Sequence, residues 1–147
     1  MIHCRHIEES DVDAMVRYAI DGMQAERYPL LVSEDKVRAW VRLFMPYDTP
    51  HFGLGAFNGS AVVGAIACFV TELPFFERYE GHVVLCRATE PGAGRRLVRL
   101  LMEWVRENIM VRRVIFPLEE HADPRQAMLL RHFGFTREQT NLIFYKG

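Results

Sequence analysis

Apolar residues recur along this chain at two periods, and the places where the period changes mark its elements. Residues 2–8 alternate loosely, as a first strand does. Val12, Met15, Val16, Ala19, Ile20 and Met23 then repeat at helical spacing, with Ser10 as the cap and Asp13 three residues on, a capping-box pattern. That stripe breaks near Tyr28-Pro29. Ser33 caps a second helix whose expected buried face is Val37, Trp40, Val41 and Phe44, and which ends before Pro46. From His51 the period becomes two. Residues 51–57 and 61–70 read as strands joined at Asn58-Gly59, a strong short hairpin signal, and Gly53, Gly55 and Gly64 point to close packing or a bulge there.

After a loop over 73–81, residues 81–108 form the unit around which the chain is organised. A short apolar run, 82–86, has strand character. A glycine-containing turn follows, then an amphipathic helix with Leu97, Leu101 and Trp104 on one stripe. Residues 111–118 read as a fifth strand, placed by the helix to lie parallel to the strand before it in a right-handed crossover. Asp123-Pro124 opens a last helix as cap and first residue, with Ala127, Met128 and Leu130 facing inward and Gly134 ending it. Two further strands, 135–138 and 141–145, close the chain. The order is β-α-α-β-β-β-α-β-α-β-β, an α/β (α+β) fold with a mixed central sheet of six to seven strands and four helices, in one domain over residues 1–147.

Composition narrows the class. The 147 residues are 50% hydrophobic and 25% charged, as in an ordinary water-soluble globule, and 18 basic side chains nearly cancel 19 acidic ones. A nucleic-acid binder is usually visibly basic, which argues against reading Arg95, Arg96, Arg99, Arg106, Arg112 and Arg113 as a nucleic-acid surface; acids interleave with them. The opening residues carry charge without an apolar segment, and no stretch has membrane-span length, so the expected location is the cytoplasm. Cys4, Cys68 and Cys86 are far apart, and two lie in apolar runs; reduced, buried thiols are expected, with no paired Cys/His spacing for a metal.

The turn over 89–96 carries the first chemistry. A helix's first turn has amides without intrahelical partners, and its dipole adds partial positive charge there. Gly92 and Gly94 let an anion approach the main chain of Gly92, Ala93, Gly94 and Arg95, with Arg95 and Arg96 adding charge. The turn lacks the third glycine of a dinucleotide fingerprint and the Gly-Lys-Ser/Thr of a P-loop.

Thr89-Glu90-Pro91-Gly92-Ala93-Gly94 before the third helix, Gly134-Phe135 after the fourth, and the element order together resemble the GCN5-related N-acetyltransferases (GNAT), whose turn reads R/Q-x-x-G-x-G/A. The spacing is most similar to small acetyltransferase-like proteins of bacteriophages and bacteria. The resemblance implies that Gly92, Ala93, Gly94 and Arg95 hold the pyrophosphate of coenzyme A, with Arg96 beside them. It implies that Leu85, Cys86 and Arg87 offer main-chain bonds to the pantetheine arm, between strands four and five. It further implies acetyl-CoA as cosubstrate, no metal, and a primary amine on a small molecule or peptide as acceptor, reached by the loop over 25–33 with Glu26. The chain departs from the family pattern at Thr89, at Cys86 where proline is usual, and at Leu130 where many members carry a tyrosine acid.

Acetyl transfer to an amine needs a base, because an ammonium cannot attack a thioester, and a proton donor for the leaving thiolate. The family's base often stands near the start of the fourth strand, where Glu80 and His82 share one strand face at a spacing of two. Glu80 is the first candidate, with a solvated loop carboxylate as the bland alternative; His82 is the second, histidine being the side chain that titrates near neutrality. His121 is a further candidate after strand five, while Asp123 is explained as a cap. Tyr145 is the candidate donor, and an apolar strand makes Cys86 a poor nucleophile. Phe75-Phe76 forms either an acceptor wall or a core cover. The competing class is a catalytically silent GNAT-like binding module, phage-encoded on the resemblance, and a C-terminal edge strand would permit a homodimer.

Overall fold

The two periods separate in space into a sheet and the helices that cover it. A computed structural model describes residues 1–25, 31–46, 48–118, 122–139 and 142–146, and the chain forms two compact units, Met1–Pro117 and Leu118–Gly147. The first unit holds a five-stranded sheet in the order β1-β2-β3-β4-β5. Its strands are β1 (Ile2–Arg5), β2 (Phe52–Asn58), β3 (Ala61–Glu72), β4 (Tyr79–Ala88) and β5 (Val111–Ile115). Strands β1 to β4 pair antiparallel and β5 pairs parallel to β4. A parallel neighbour requires a crossover, and α3 (Ala93–Glu107) supplies it.

Cross-strand partners share a face, so the register fixes what each face meets. Gly64 pairs with Ala88, and a Cβ on Gly64 would lie 3.0 Å from Leu97 Cδ1; α3 covers that face, burying Leu97, Val98 and Leu101. Ala65 pairs with Arg87, whose guanidinium lies 4.3 Å from the Tyr18 ring centre, so α1 (Val12–Ala25) and α2 (Glu34–Leu43) cover the opposite face. Val12, Met15, Val16 and Ala19 of α1 pack there with Val37, Val41, Phe57 and Ala65 in one apolar cluster.

Three register breaks each leave one residue without a partner: Val63 in β3, Val84 in β4 and Arg112 in β5. A bulge bends its strand and re-aims the side chains beyond it. Without the break at Arg112, Arg113 would share a face with Val111; with it, Arg113 lies opposite Glu80.

Three sequence expectations are corrected. The described residues form a sheet of five strands, and residues 135–139 and 142–146 form no ladder. Alternation or apolarity in a sequence supplies a strand's pattern but not its partner, and Leu142 and Phe144 stay 97% and 88% exposed. The first helix is entered earlier than Ser10: the Asp11 carboxylate accepts the Glu8 N–H at 2.8 Å and pairs with Arg5 at 2.6 Å, so a single 3-10 turn over Glu9–Asp11 leads into α1. Two side chains expected to face inward are exposed, Trp40 of α2 at 43% and Met128 of the last helix at 66%.

In the second unit, α4 (Pro124–His132) is capped as read: the Asp123 carboxylate accepts the Arg125 N–H at 2.9 Å, with Pro124 at the first turn. Gly134, at φ 99°, closes it. The Phe135 amide bonds Leu130 O and the Gly134 amide bonds Arg131 O, the two bonds of a Schellman motif. The Gly-Phe pair is thus a helix stop. No helix among the described residues is long and apolar enough to cross a membrane.

Candidate functional site

The turn from β4 into α3 brings the N-terminus of that helix to an open surface. Gly92 is the residue before the helix, at φ 89° and ψ −18°, a left-handed geometry that an L side chain adopts only under strain; nothing lies within 4 Å of where its Cβ would be. The space beside it is open. The first turn of α3 contains no acid, so its dipole is not neutralised from within. The Ala93 amide bonds Glu90 O at 3.2 Å and the Arg96 amide bonds Gly92 O, whereas the Gly92 and Gly94 amides meet no carbonyl among the described residues. Glu90, an acid that would oppose a phosphate, is drawn aside by Asn58 Nδ2 at 3.0 Å. Arg95 is exposed on the first turn, but Arg96 reaches away, donating to Ile2 O at 2.6 Å.

The first motif position, Thr89, has a structural task. Its amide and hydroxyl both bond Val63 O, the carbonyl of the β3 bulge, and its Oγ1 lies 3.3 Å from the Tyr18 hydroxyl. Burial pushes the Tyr18 phenol above its usual range. Arg87 joins the same tie, donating to Tyr18 O at 2.7 Å and lying so close to α1 that a Cβ on Gly22 would be 2.7 Å from its Cδ. Arg87 therefore fastens α1 to β4, and its side chain is committed.

Beyond the turn, β4 presents an open edge. β5 pairs with it only from Tyr79 to His82, and past that point the main chain of Leu85, Cys86 and Arg87 has β3 on one side and no described strand on the other. The Val84 bulge sits where pairing stops, with Val84 46% exposed. Such an edge can accept main-chain bonds from an extended amide-bearing ligand. Leu85 turns its side chain into the α1–α2 cluster. The Cys86 thiol is enclosed, though the residue is partly exposed, and burial pushes it up to about 12.

At the far end of β4, Glu80 and His82 share a face as their spacing predicts. Glu80 is 5% exposed, not a solvated loop acid. Its Oε2 accepts both Nε (3.0 Å) and Nη2 of Arg113, and its Oε1 lies 2.7 Å from His82 Nε2. A carboxylate at that distance favours hydrogen on Nε2, which leaves Nδ1 as the basic nitrogen. The His82 side chain is 40% exposed. Glu80 itself, buried with both oxygens engaged, cannot meet an acceptor directly. Phe69 is the cross-strand partner of His82, and it stacks on His51 at 4.3 Å and packs against Trp40 at 5.2 Å. His51 Nδ1 accepts the Val70 N–H at 2.9 Å, and burial lowers this imidazole below its usual value.

The remaining candidates divide. Tyr145 belongs to the second unit, 47% exposed in a segment without a ladder. His121, Glu26 and most of the proposed acceptor loop lie outside the described residues. Phe75 and Phe76 are 90% and 70% exposed and cover no core. Arg113 and Tyr18 were not found from the sequence: Arg113 sits in an Arg-Arg pair whose facing depends on a bulge, and Tyr18 lies on a helix read only for its apolar stripe. No group of His, Cys, Asp and Glu that could hold a metal occurs among the described residues.

No protein-family model matches the chain, and no curated protein matches it in sequence. Solved structures do. An acetyltransferase of the GNAT family from Streptococcus pneumoniae aligns with TM-score 0.75 at 15% identity, over 95% of this chain and 87% of that one. A predicted acetyltransferase with acetyl-CoA from Clostridium acetobutylicum aligns with TM-score 0.76 at 12% identity, over 99% and 96%. A transcriptional regulator from Bacillus halodurans C-125 aligns with TM-score 0.75 at 20% identity, over 99% and 100%. The chain has the GNAT acetyltransferase fold.

Proposed function

We propose that this chain is an acyl-CoA-dependent N-acyltransferase that moves an acetyl group from acetyl-CoA to a primary amine. One observation carries the reading. A single strand, β4, has an anion-receiving turn at its end, an open main-chain edge along its second half, and an exposed histidine backed by a buried carboxylate at its start. From His82 to Ala88 the strand advances roughly 20 Å, enough for an extended pantetheine arm. The amides of Gly92 and Gly94, with Arg95, would receive the pyrophosphate, whereas the Ala93 N–H that the resemblance adds to this set already bonds Glu90 O; Leu85, Cys86 and Arg87 would receive the pantetheine amides. The cosubstrate supplies an activated acetyl thioester.

This chain's residues then have separable roles. His82 Nδ1 takes a proton from the acceptor ammonium, directly or through a water, so that the free amine attacks the thioester carbonyl. Glu80 is a positioning residue that holds Nε2, and Arg113 fixes Glu80. The departing thiolate takes up a proton; Tyr145 is the donor to test. Phe69 and Trp40 give the acceptor an apolar floor beside His82. The test is release of free thiol with a panel of amines. His82→Ala should lower turnover by roughly 10²-fold or more with the KM for acetyl-CoA little changed; undiminished turnover overturns the assignment of the base.

A second reading, a catalytically silent module that binds without transferring, is favoured by one observation: buried Leu130 stands where many members of the resembling family have tyrosine. Coenzyme binding without turnover on any amine would support it.

A further inference from the structure

Building on the proposed role of His82 as base, we infer that the acceptor is a primary amine joined by a short spacer to an aromatic ring. The register of the sheet gives His82 apolar neighbours on both flanks. Its partner on β3 is Phe69 and its partner on β5 is Ile115. Charge meets it along β4, where Glu80 lies 2.7 Å from its Nε2 and is itself held by Arg113.

Phe69 belongs to a continuous group of rings. His51, one residue before β2, stacks on it at 4.3 Å, and Trp40 of α2 lies 5.2 Å away. Buried Phe44 anchors both, 6.0 Å from Trp40 and 5.7 Å from His51. His51 brings no charge at neutral pH: its Nδ1 accepts the Val70 N–H, and burial lowers its basicity. Trp40 shares a helix stripe with buried Val37 and Val41, yet nearly half of it is open. A large ring on an inward stripe that stays uncovered marks the limit of the helical cover, and that limit falls against the cross-strand partner of His82.

This pattern selects an acceptor. An ammonium is attracted by the Glu80 carboxylate behind His82 and by the faces of aromatic rings. An aryl group on the same molecule gains contact with Phe69 and Trp40 at ring separations of roughly 4.5–7 Å. Antiparallel partners stand roughly 5 Å apart at Cβ, so about two to three carbons between nitrogen and ring let one molecule reach both. Sugar hydroxyls or a phosphate set against Phe69 and Ile115 would lose water without gaining partners, and Arg113 is already engaged by Glu80.

The test measures thiol release and direct binding in parallel on the full chain. With acetyl-CoA, kcat/KM for phenethylamine should exceed that for ethylamine or glucosamine by roughly tenfold or more. Trp40→Ala should remove most of the preference over ethylamine by raising the KM for phenethylamine, with the KM for acetyl-CoA little changed, and Trp40→Phe should keep most of it. With desulfo-coenzyme A present, phenethylamine should give saturable NMR shifts of the Trp40 indole N–H and the His82 ring, and leave the Trp104 indole in place. Such binding without turnover on any amine would overturn the transferase reading and leave the aryl-amine site standing. Turnover with equal preference for ethylamine or glucosamine, absence of saturable shifts at Trp40, or phenethylamine binding that Trp40→Ala leaves unchanged would each overturn the acceptor class, and the first of these would leave the transferase reading intact.

Discussion

Replacing Glu80 with glutamine separates the structural work of the Glu80–His82–Arg113 array from its chemistry. The carboxylate is 5% exposed, while Arg113 and His82 are 49% and 40% exposed. A hydrogen bond to a charged group contributes about 1.5–3 kcal/mol net, and an ion pair with half-exposed partners contributes less, since water replaces part of what is lost. Glutamine keeps the shape and one acceptor oxygen. Glu80→Gln should therefore destabilise the fold by about 1–2 kcal/mol, lowering the unfolding midpoint by about 2–8 °C for a chain of this size. Arg113→Ala should destabilise more, because it leaves the buried carboxylate with only His82 beside it. Turnover in the thiol-release assay should fall roughly ten- to hundredfold in Glu80→Gln, with the KM for acetyl-CoA little changed. Urea unfolding of both variants and steady-state kinetics read these outcomes. A Glu80→Gln protein with full turnover, or one destabilised more than Arg113→Ala, would refute the assignment of Glu80 as the residue that positions His82.

Other predictions follow from groups around the site. Burial lowers the His51 imidazole below its usual 6.5, so the folded chain resists its protonation; its stabilising contribution is complete above that value and is lost as pH falls through the lower folded value. His51→Phe, which keeps a ring on Phe69, should flatten the decline in stability between pH 7 and 5, measured by urea unfolding; an unchanged slope would show that His51 does not drive it. Burial pushes the Cys68 and Cys86 thiols up to about 12, so neither should react with a disulfide reagent in native protein at pH 8, and Cys86→Ala should retain turnover; rapid labelling of Cys86 would contradict this. Gly134→Ala places a side chain at φ 99° and should cost about 1–2 kcal/mol of stability, read by thermal unfolding; no loss would show that the Schellman stop can relax.

Local chemistry was legible in the sequence, and partnership was not. The hairpin at Asn58-Gly59, the Ser33 and Asp123 caps, and the Gly92 turn opening α3 depend on a few adjacent residues, and each stands where its residues place it. The shared face of Glu80 and His82 follows from the alternation of a strand. What the alternation could not reveal was the burial of Glu80, because that depends on Arg113, and Arg113 reaches it only through the β5 bulge at Arg112. The open second half of β4 likewise depends on where β5 stops pairing. The two expected C-terminal strands show the same limit: residues 142–145 have strand-like apolarity, but nothing local supplies an edge to pair with. Thr89 is intelligible only once Val63 O and the Tyr18 hydroxyl are seen around it.

The central claim is that the Gly92 turn holds the phosphates of an acyl-coenzyme A, and thermal unfolding with and without acetyl-CoA tests it most directly. Ligand at about a hundred times its dissociation constant should stabilise the fold by about 2.7 kcal/mol, raising the midpoint by about 5–10 °C. Gly92→Glu should abolish the rise, by strain at a left-handed position and by a carboxylate where phosphate belongs, while the ligand-free variant still unfolds cooperatively. A midpoint that acetyl-CoA leaves unmoved in the unaltered chain, or raises equally in Gly92→Glu, would contradict the account.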